Sequence, residues 1–176
     1  MTEYKSWPLG QLPPEFQRPE LDQLKKNGYK FGDPREVVDI FEKKVAKFAG
    51  AKYGIAVDCC SHGLFLSLKW YKDVMKMITE HIHIPRYTYC SVPMQIIHAG
   101  FKPVFEDVTW SGMYQLKPFD IWDGAVRWTQ GMYKSGFHIV SFQLKKRIPI
   151  GRGGMILTND KKAADWFRKM TYDGRD

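Results

Sequence analysis

Ser141-Phe142-Gln143-Leu144-Lys145-Lys146-Arg147-Ile148-Pro149-Ile150-Gly151-Arg152-Gly153-Gly154 decides how the rest of the chain is read. A short apolar run, His138-Ile139-Val140, precedes it and reads as a buried strand. A second run, Met155-Ile156-Leu157-Thr158, follows it. Between the two, a serine leaves a strand, Lys146 stands five residues further on, and a Gly-x-Gly-Gly turn sends the chain into the next strand.

Open α/β sheets place their chemistry beyond the carboxyl ends of their strands. A lysine there has a use that other residues lack. Once desolvated, its amine gives up its proton and condenses with an aldehyde to a Schiff base. Pyridoxal phosphate is the commonest such aldehyde in proteins, held by a lysine and tuned by an acid at its ring nitrogen. A surface loop with solvated lysines accounts for the stretch better when it stands alone, so the decision passes to its surroundings.

With 176 residues, the chain forms one domain with room for a small appendage, and 44% hydrophobic residues supply a core. The formal charge of +8 suits an anionic partner such as a nucleotide or a phosphorylated cofactor. The basic residues are scattered, clustering only at Lys145-Lys146-Arg147 and over 161–175, and no nucleic-acid motif accompanies them. Nucleic acid is therefore not the expected partner. Cys59, Cys60 and Cys90 are odd in number and two are adjacent, which argues against a disulfide framework and for a reducing compartment. Met1-Thr2-Glu3-Tyr4-Lys5 lacks a leader's apolar core, and no run reaches membrane-spanning length. The expected location is cytoplasmic.

Residues 1–32 read as an extended arm with one short helix near 19–26. Residues 33–176 read as the α/β domain. Asp33-Pro34 is a helix start, Val37, Phe41, Val45 and Phe48 follow at helical spacing, and Gly50 closes the helix. Strands are expected at 53–57, 81–84, 102–105, 119–122, 138–142 and 154–158, with helices after the first, second and last. This alternation predicts a three-layer α/β/α domain with a mostly parallel sheet. Only a loop separates the last strand from its predecessor, so that strand is free to pair antiparallel.

Several candidates then fall at strand ends. Ser61 opens a helix in a run of small residues, where free N–H groups and the positive helix end favour a phosphate. Taken alone, a plain helix cap explains it better. Asp123 ends a strand, where a buried carboxylate holds a pyridinium N–H, or simply makes a turn before Gly124. Tyr89 is suited to stacking on a flat ring, or to the core. Lys146 and Ser141 complete the set. His81, His83, Cys90 and His98, like Cys59-Cys60-x-His62, lack zinc spacing, and no metal is expected. No Gly-x-Gly-x-x-Gly follows the first strand and no nucleophile elbow occurs.

In this order the residues resemble the DegT/StrS family of PLP-dependent sugar aminotransferases, which have the aspartate-aminotransferase fold (fold type I). The likeness lies in Phe41-Glu42, Ala46, Phe48 and Ala49-Gly50-Ala51-Lys52-Tyr53, and in Pro85-Arg86-Tyr87-Thr88-Tyr89. It continues in Ala99-Gly100-Phe101-Lys102-Pro103-Val104-Phe105-Glu106-Asp107-Val108 and Asp123-Gly124-Ala125. Ser141-Phe142-x-x-x-Lys146 before Gly151-x-Gly153-Gly154 is its most specific part, and its spacing selects Lys146 over Lys145.

The resemblance implies a role for each residue. Lys146 holds pyridoxal phosphate and shuttles a proton, Asp123 meets the ring nitrogen, and Tyr89 stacks on the ring. Ser61 and Ser141 bind the phosphate, with backbone N–H groups near Cys60. It also implies an amino-acid donor, usually glutamate, a keto sugar on a nucleotide as acceptor, and a homodimer. Some positions depart from the family pattern. Cys60 stands in place of a glycine, Val126 in place of a polar residue, Gln143 in place of a histidine and Arg152 in place of an acid. The family's second, smaller domain has no counterpart before Asp176. An alternative is a non-catalytic protein of the same fold that binds cofactor or sugar nucleotide. A related dehydratase is disfavoured by Lys146, because those relatives carry histidine there.

Overall fold

A computed structural model of the chain describes residues 20–30 and 35–172. Most of the expected arm and the Asp33-Pro34 helix start lie outside the described residues. The chain divides into two units, Met1–Phe41 and Glu42–Asp176. In the first, α1 (Glu20–Lys26) ends where Gly28 takes φ +93°. There the Gly28 N–H donates to the Lys25 carbonyl at 2.9 Å and the Tyr29 N–H to the Leu24 carbonyl at 3.2 Å, a left-handed glycine stop.

The helix α2 (Glu36–Ala49) buries Glu42, Val45, Ala46 and Ala49, the i, i+3, i+4, i+7 stripe of an amphipathic helix. Gly50, at φ +84°, ends it as expected. In the second unit the strands are β1 (Tyr53–Val57), β2 (His81–Pro85), β3 (Lys102–Glu106), β4 (Tyr114–Gln115), β5 (Ile121–Asp123), β6 (Phe137–Ser141) and β7 (Gly154–Thr158). Between them lie α3 (Cys60–Lys69), which continues as a π-helical turn over Trp70–Val74, and α4 (Ser91–His98). The last helix is α5 (Lys161–Met170), capped by Asp160, whose carboxylate accepts from the Ala163 N–H at 3.1 Å.

The main sheet has five strands in the order β1-β7-β6-β5-β4. It is mixed, and here the expectation of a mostly parallel sheet is corrected. The β1·β7, β7·β6 and β5·β4 pairs are antiparallel, and only β5·β6 is parallel. Two short connections cause this. A loop rather than a crossover helix joins β6 to β7, so the chain turns back beside itself. The short strand β4, not anticipated from the sequence, reverses into β5 with the Leu116 N–H donating to the Ile121 carbonyl at 2.8 Å. β2 and β3 form a separate parallel pair, joined by α4. His83 bridges to Lys117 through two backbone hydrogen bonds of 2.8 and 3.2 Å, which tie β2 to the β4–β5 turn.

One face of the main sheet packs on α3 and α5. A Cβ at Gly63 of α3 would lie 2.8 Å from the Ile139 side chain and 3.3 Å from that of Ile156. Phe167 of α5 meets Phe137 edge-on at 5.0 Å and lies near Trp70. The other face receives the later part of α2, where Gly54 lies against the Met155 sulfur and Ala46. β1 and β6 both run opposite to β7, and β5 runs with β6. The carboxyl ends of β1, β5 and β6 therefore share one edge of the sheet.

Candidate active site

At that edge, small residues let a helix start directly on the sheet. A Cβ at Gly154 would stand 2.7 Å from the Cys60 nitrogen and 2.8 Å from the Cys59 carbonyl carbon. Only glycine permits α3 to begin there. Cys59 bridges Gly153, and the next loop closes through a Gln143–Gly151 bridge. Within that loop the Lys146 N–H donates to the Gln143 carbonyl at 2.8 Å, and the Lys145 N–H to the Gln143 side chain at 2.8 Å. This turn brings a half-buried Lys146 back over the strand ends.

The result is a cavity of about 370 Å³. Every residue singled out from the sequence, Cys60, Ser61, Tyr89, Asp123, Ser141 and Lys146, lines it. Lys145 lines it too, as do Cys59 and Ser91. Ser61 shares a hydrogen bond of 2.7 Å with Ser91, at the start of α4. Two hydroxyls and two helix N-termini thus meet on one wall, an arrangement that attracts an anion. Tyr89 is 73% exposed, so it stands at the mouth rather than in the core.

Asp123 forms the floor and is 6% exposed. Its Oδ2 accepts from the Tyr114 hydroxyl at 2.7 Å, and its Oδ1 from the Ala125 N–H at 2.9 Å. The Cys60 thiol reaches Oδ1 at 4.0 Å. Burial pushes the Asp123 carboxyl above its ordinary range, opposed by Tyr114, Ala125 and the Lys146 charge. Burial, with the neighbouring carboxylate, also pushes the Cys60 thiol well up, so it stays a thiol. Tyr114 is pushed up in the same way, again chiefly by burial, and stays a phenol. Neither Tyr114 nor Ser91 was singled out from the sequence. Tyr114 lies in an aperiodic segment, and only its pairing with Asp123 across β4·β5 brings it to the site.

This donor set fits pyridoxal phosphate: hydroxyls at two helix N-termini, a buried carboxylate, an amine and an aromatic ring at the mouth line one cavity. A ring cation on Asp123 would offset the burial that disfavours the carboxylate. Among the described residues, Asp58, Cys59 and His62 bring ligand-type atoms within 4.8 Å of one another. Asp58 is already engaged by His62 Nδ1 at 2.5 Å and by Arg152 at 3.2 Å, and the cluster sits at a helix's positive end. Arg152, where the family pattern has an acid, is thus an ion-pair partner in this chain. No helix among the described residues is long and apolar enough to cross a membrane.

A family model described as the DegT/DnrJ/EryC1/StrS aminotransferase family matches residues 16–122. The spore coat polysaccharide biosynthesis protein SpsC of Bacillus subtilis (strain 168) is 26% identical over 202 aligned positions. That alignment takes in 88% of this chain and 50% of the relative. It is longer than the 176-residue chain itself, so the relative carries segments with no counterpart here. Among solved structures, AtS13 from Actinomadura melliaura superposes with a TM-score of 0.67 at 16% identity, over 89% of this chain and 54% of that one. DesI, solved in the presence of its TDP-sugar product, gives 0.63 at 21% identity, over 89% and 49%. The chain spans about half the length of each of these relatives. The superpositions show that the chain shares the α/β fold of about half of each of these solved structures.

Proposed function

This chain belongs to the DegT/DnrJ/EryC1/StrS aminotransferase family, and we propose that it moves an amino group from an amino acid, expected to be glutamate, to a nucleotide-linked keto sugar, with pyridoxal phosphate as cofactor. One observation carries the reading. Ser61, Tyr89, Asp123 and the Ser141–Lys146 stretch come from four separate places in the sequence and line one cavity. The sugar nucleotide is supported by DesI, whose structure was solved in the presence of its TDP-sugar product. SpsC supports a product destined for a surface polysaccharide. In this reading residues 33–176 form the cofactor-binding domain, residues 1–32 an arm, and the working form is a cytoplasmic homodimer.

Pyridoxal phosphate, when bound, supplies a reactive carbonyl and an electron-withdrawing ring. The chain's own residues do the rest. Lys146 Nζ would hold the cofactor and, as a free amine, would take and return a proton. Asp123 would hold the ring nitrogen's proton in place. Ser61, Ser141 and the N–H groups that open α3 hold the phosphate, with Cys60 supplying one of them. Tyr89 covers the ring at the mouth of the cavity.

The test is spectroscopic. Adding pyridoxal phosphate should produce a visible absorbance band, and borohydride should fix the cofactor on Lys146, located by peptide mass spectrometry. Lys146→Ala should abolish the label while Lys145→Ala keeps it. Adding L-glutamate should discharge the band, and a keto sugar nucleotide should restore it. A second reading, a binding protein of the same fold, is favoured by the Cys60 thiol that faces Asp123 where the family pattern has glycine. A band that ignores every amino donor selects that reading, and the absence of any band removes the aminotransferase and a cofactor-binding form of the alternative.

A further inference from the structure

Asp123 is held by a chain of hydroxyls whose direction can be deduced. Tyr114 is 6% exposed, and its hydroxyl lies 2.7 Å from Asp123 Oδ2. A phenol has one proton to donate, and the carboxylate, which only accepts, receives that hydrogen bond. Thr88 Oγ1 also touches the Tyr114 oxygen, so the threonine must be the donor in that contact. Every proton in the series Thr88, Tyr114, Asp123 therefore points toward the carboxylate, and each bond polarises the next.

From these contacts we infer that Tyr114, backed by Thr88, is a positioning residue that keeps Asp123 anionic and correctly oriented for a cationic ring nitrogen. The inference rests on the reading of Asp123 as that nitrogen's partner. Packing alone does not account for the phenol. Its ring meets Trp110 edge-on at 4.7 Å, a contact that phenylalanine would keep, whereas the hydroxyl is aimed at the one buried acid of the cavity. The charged and titratable groups that face Asp123 are Cys60 from α3, Lys146 from the β6–β7 loop and Tyr114 itself. Of the two neutral ones, the tyrosine makes the shorter bond.

The same segment steadies the ring's other contact. Thr88 precedes Tyr89 in sequence, and Trp110 Nε1 donates to the Tyr87 carbonyl at 2.8 Å. Residues 110–114 thus hold both the acid at the floor and the loop that carries the aromatic ring at the mouth. One stretch, in which the sequence shows no periodic signal, thus bonds both to the end of β5 and to the loop that follows β2.

The experiment uses Tyr114→Phe and Thr88→Val in the full chain. In cofactor-free protein, the carboxyl carbon of Asp123, assigned by its disappearance in Asp123→Asn, is titrated by carbon-13 NMR. Tyr114→Phe should raise its midpoint by at least about one pH unit, a tenfold change in proton affinity, and Thr88→Val by less. Affinity for pyridoxal phosphate at neutral pH should fall about tenfold in Tyr114→Phe. The gap to the parent protein should narrow as pH rises and Asp123 ionises without help, a recovery that lost packing would not give. An unchanged midpoint in a folded Tyr114→Phe protein overturns the inference. Should that variant fail to fold, an unchanged midpoint in Thr88→Val overturns it instead. If no protein binds the cofactor, the proposed function fails, and the titration still decides the role of Tyr114.

Discussion

Glu42 is a carboxylate in the wrong solvent, 4% exposed on a helix packed against a sheet. Its Oε1 accepts the Ala56 N–H at 2.7 Å and its Oε2 meets Arg168 Nη1 at 2.7 Å. Removing it leaves the part-buried Ala56 N–H without this acceptor and takes the carboxylate from Arg168. Glu42→Ala should destabilise the fold by about 2–4 kcal/mol, measured as a lower urea midpoint at unchanged slope. Glu42→Gln should cost less, because an amide oxygen still accepts from Ala56. Gly154→Ala is the matching test at the site. Its methyl group would meet backbone at 2.7 Å, so α3 must shift. A loss of about 1–3 kcal/mol and weaker cofactor capture should follow, read by melting and by absorbance. Ser61, Asp123, Ser141 and Lys146 were legible because each stands at or just beyond the end of an apolar run, where strand ends put chemistry. Tyr114 was not, because a hydrogen bond across two strands leaves no period in either of them.

Among the elements, β6 carries the pH response. His138 is fully buried on it, beside Trp122 of β5, and neither ring nitrogen has a hydrogen-bond partner among the described residues. Burial, then the nearby Arg127 charge, pushes its pKa down to about 4. The folded chain therefore refuses a proton that the unfolded chain accepts below about 6.5. Stability should be highest above that value and fall as pH drops toward 4, by about 3 kcal/mol from this residue. Asp123 acts in the opposite sense: its raised carboxyl pKa favours the folded state at low pH, and that advantage is lost as pH rises through it. Urea titrations at pH 7 and pH 5 should show the net loss, and His138→Leu should flatten it. The elements themselves were largely readable, since apolar runs and their glycine stops mark where strands and helices lie. Strand direction was not, because an apolar run carries no arrow. Only the missing helix between β6 and β7 announced a reversal, and the hairpin of β4 with β5 gave no warning.

The molecule as a whole carries a charge of +8, and the proposed cofactor brings a phosphate to it. A ligand that binds only the folded state stabilises it by mass action, by about 2.7 kcal/mol at a hundred times its Kd. For a domain of this size that is a rise in Tm of about 5–10 °C. Pyridoxal phosphate should produce it, inorganic phosphate a part of it, and Lys146→Ala should shrink it toward the phosphate value. The pairing of β7 bears on how the protein is made. Tyr53 pairs with Thr158, and Val57 with Gly154. While the chain is leaving the ribosome, β1 waits with an open hydrogen-bonding edge until β7 is translated, whereas β6 waits only for the loop that joins it to β7. For most of synthesis the nascent protein thus carries β1 without its sheet partner, a state in which neighbouring polypeptides on a polysome can zip together. Chaperone demand should be set by that wait and not by the stability of the finished domain.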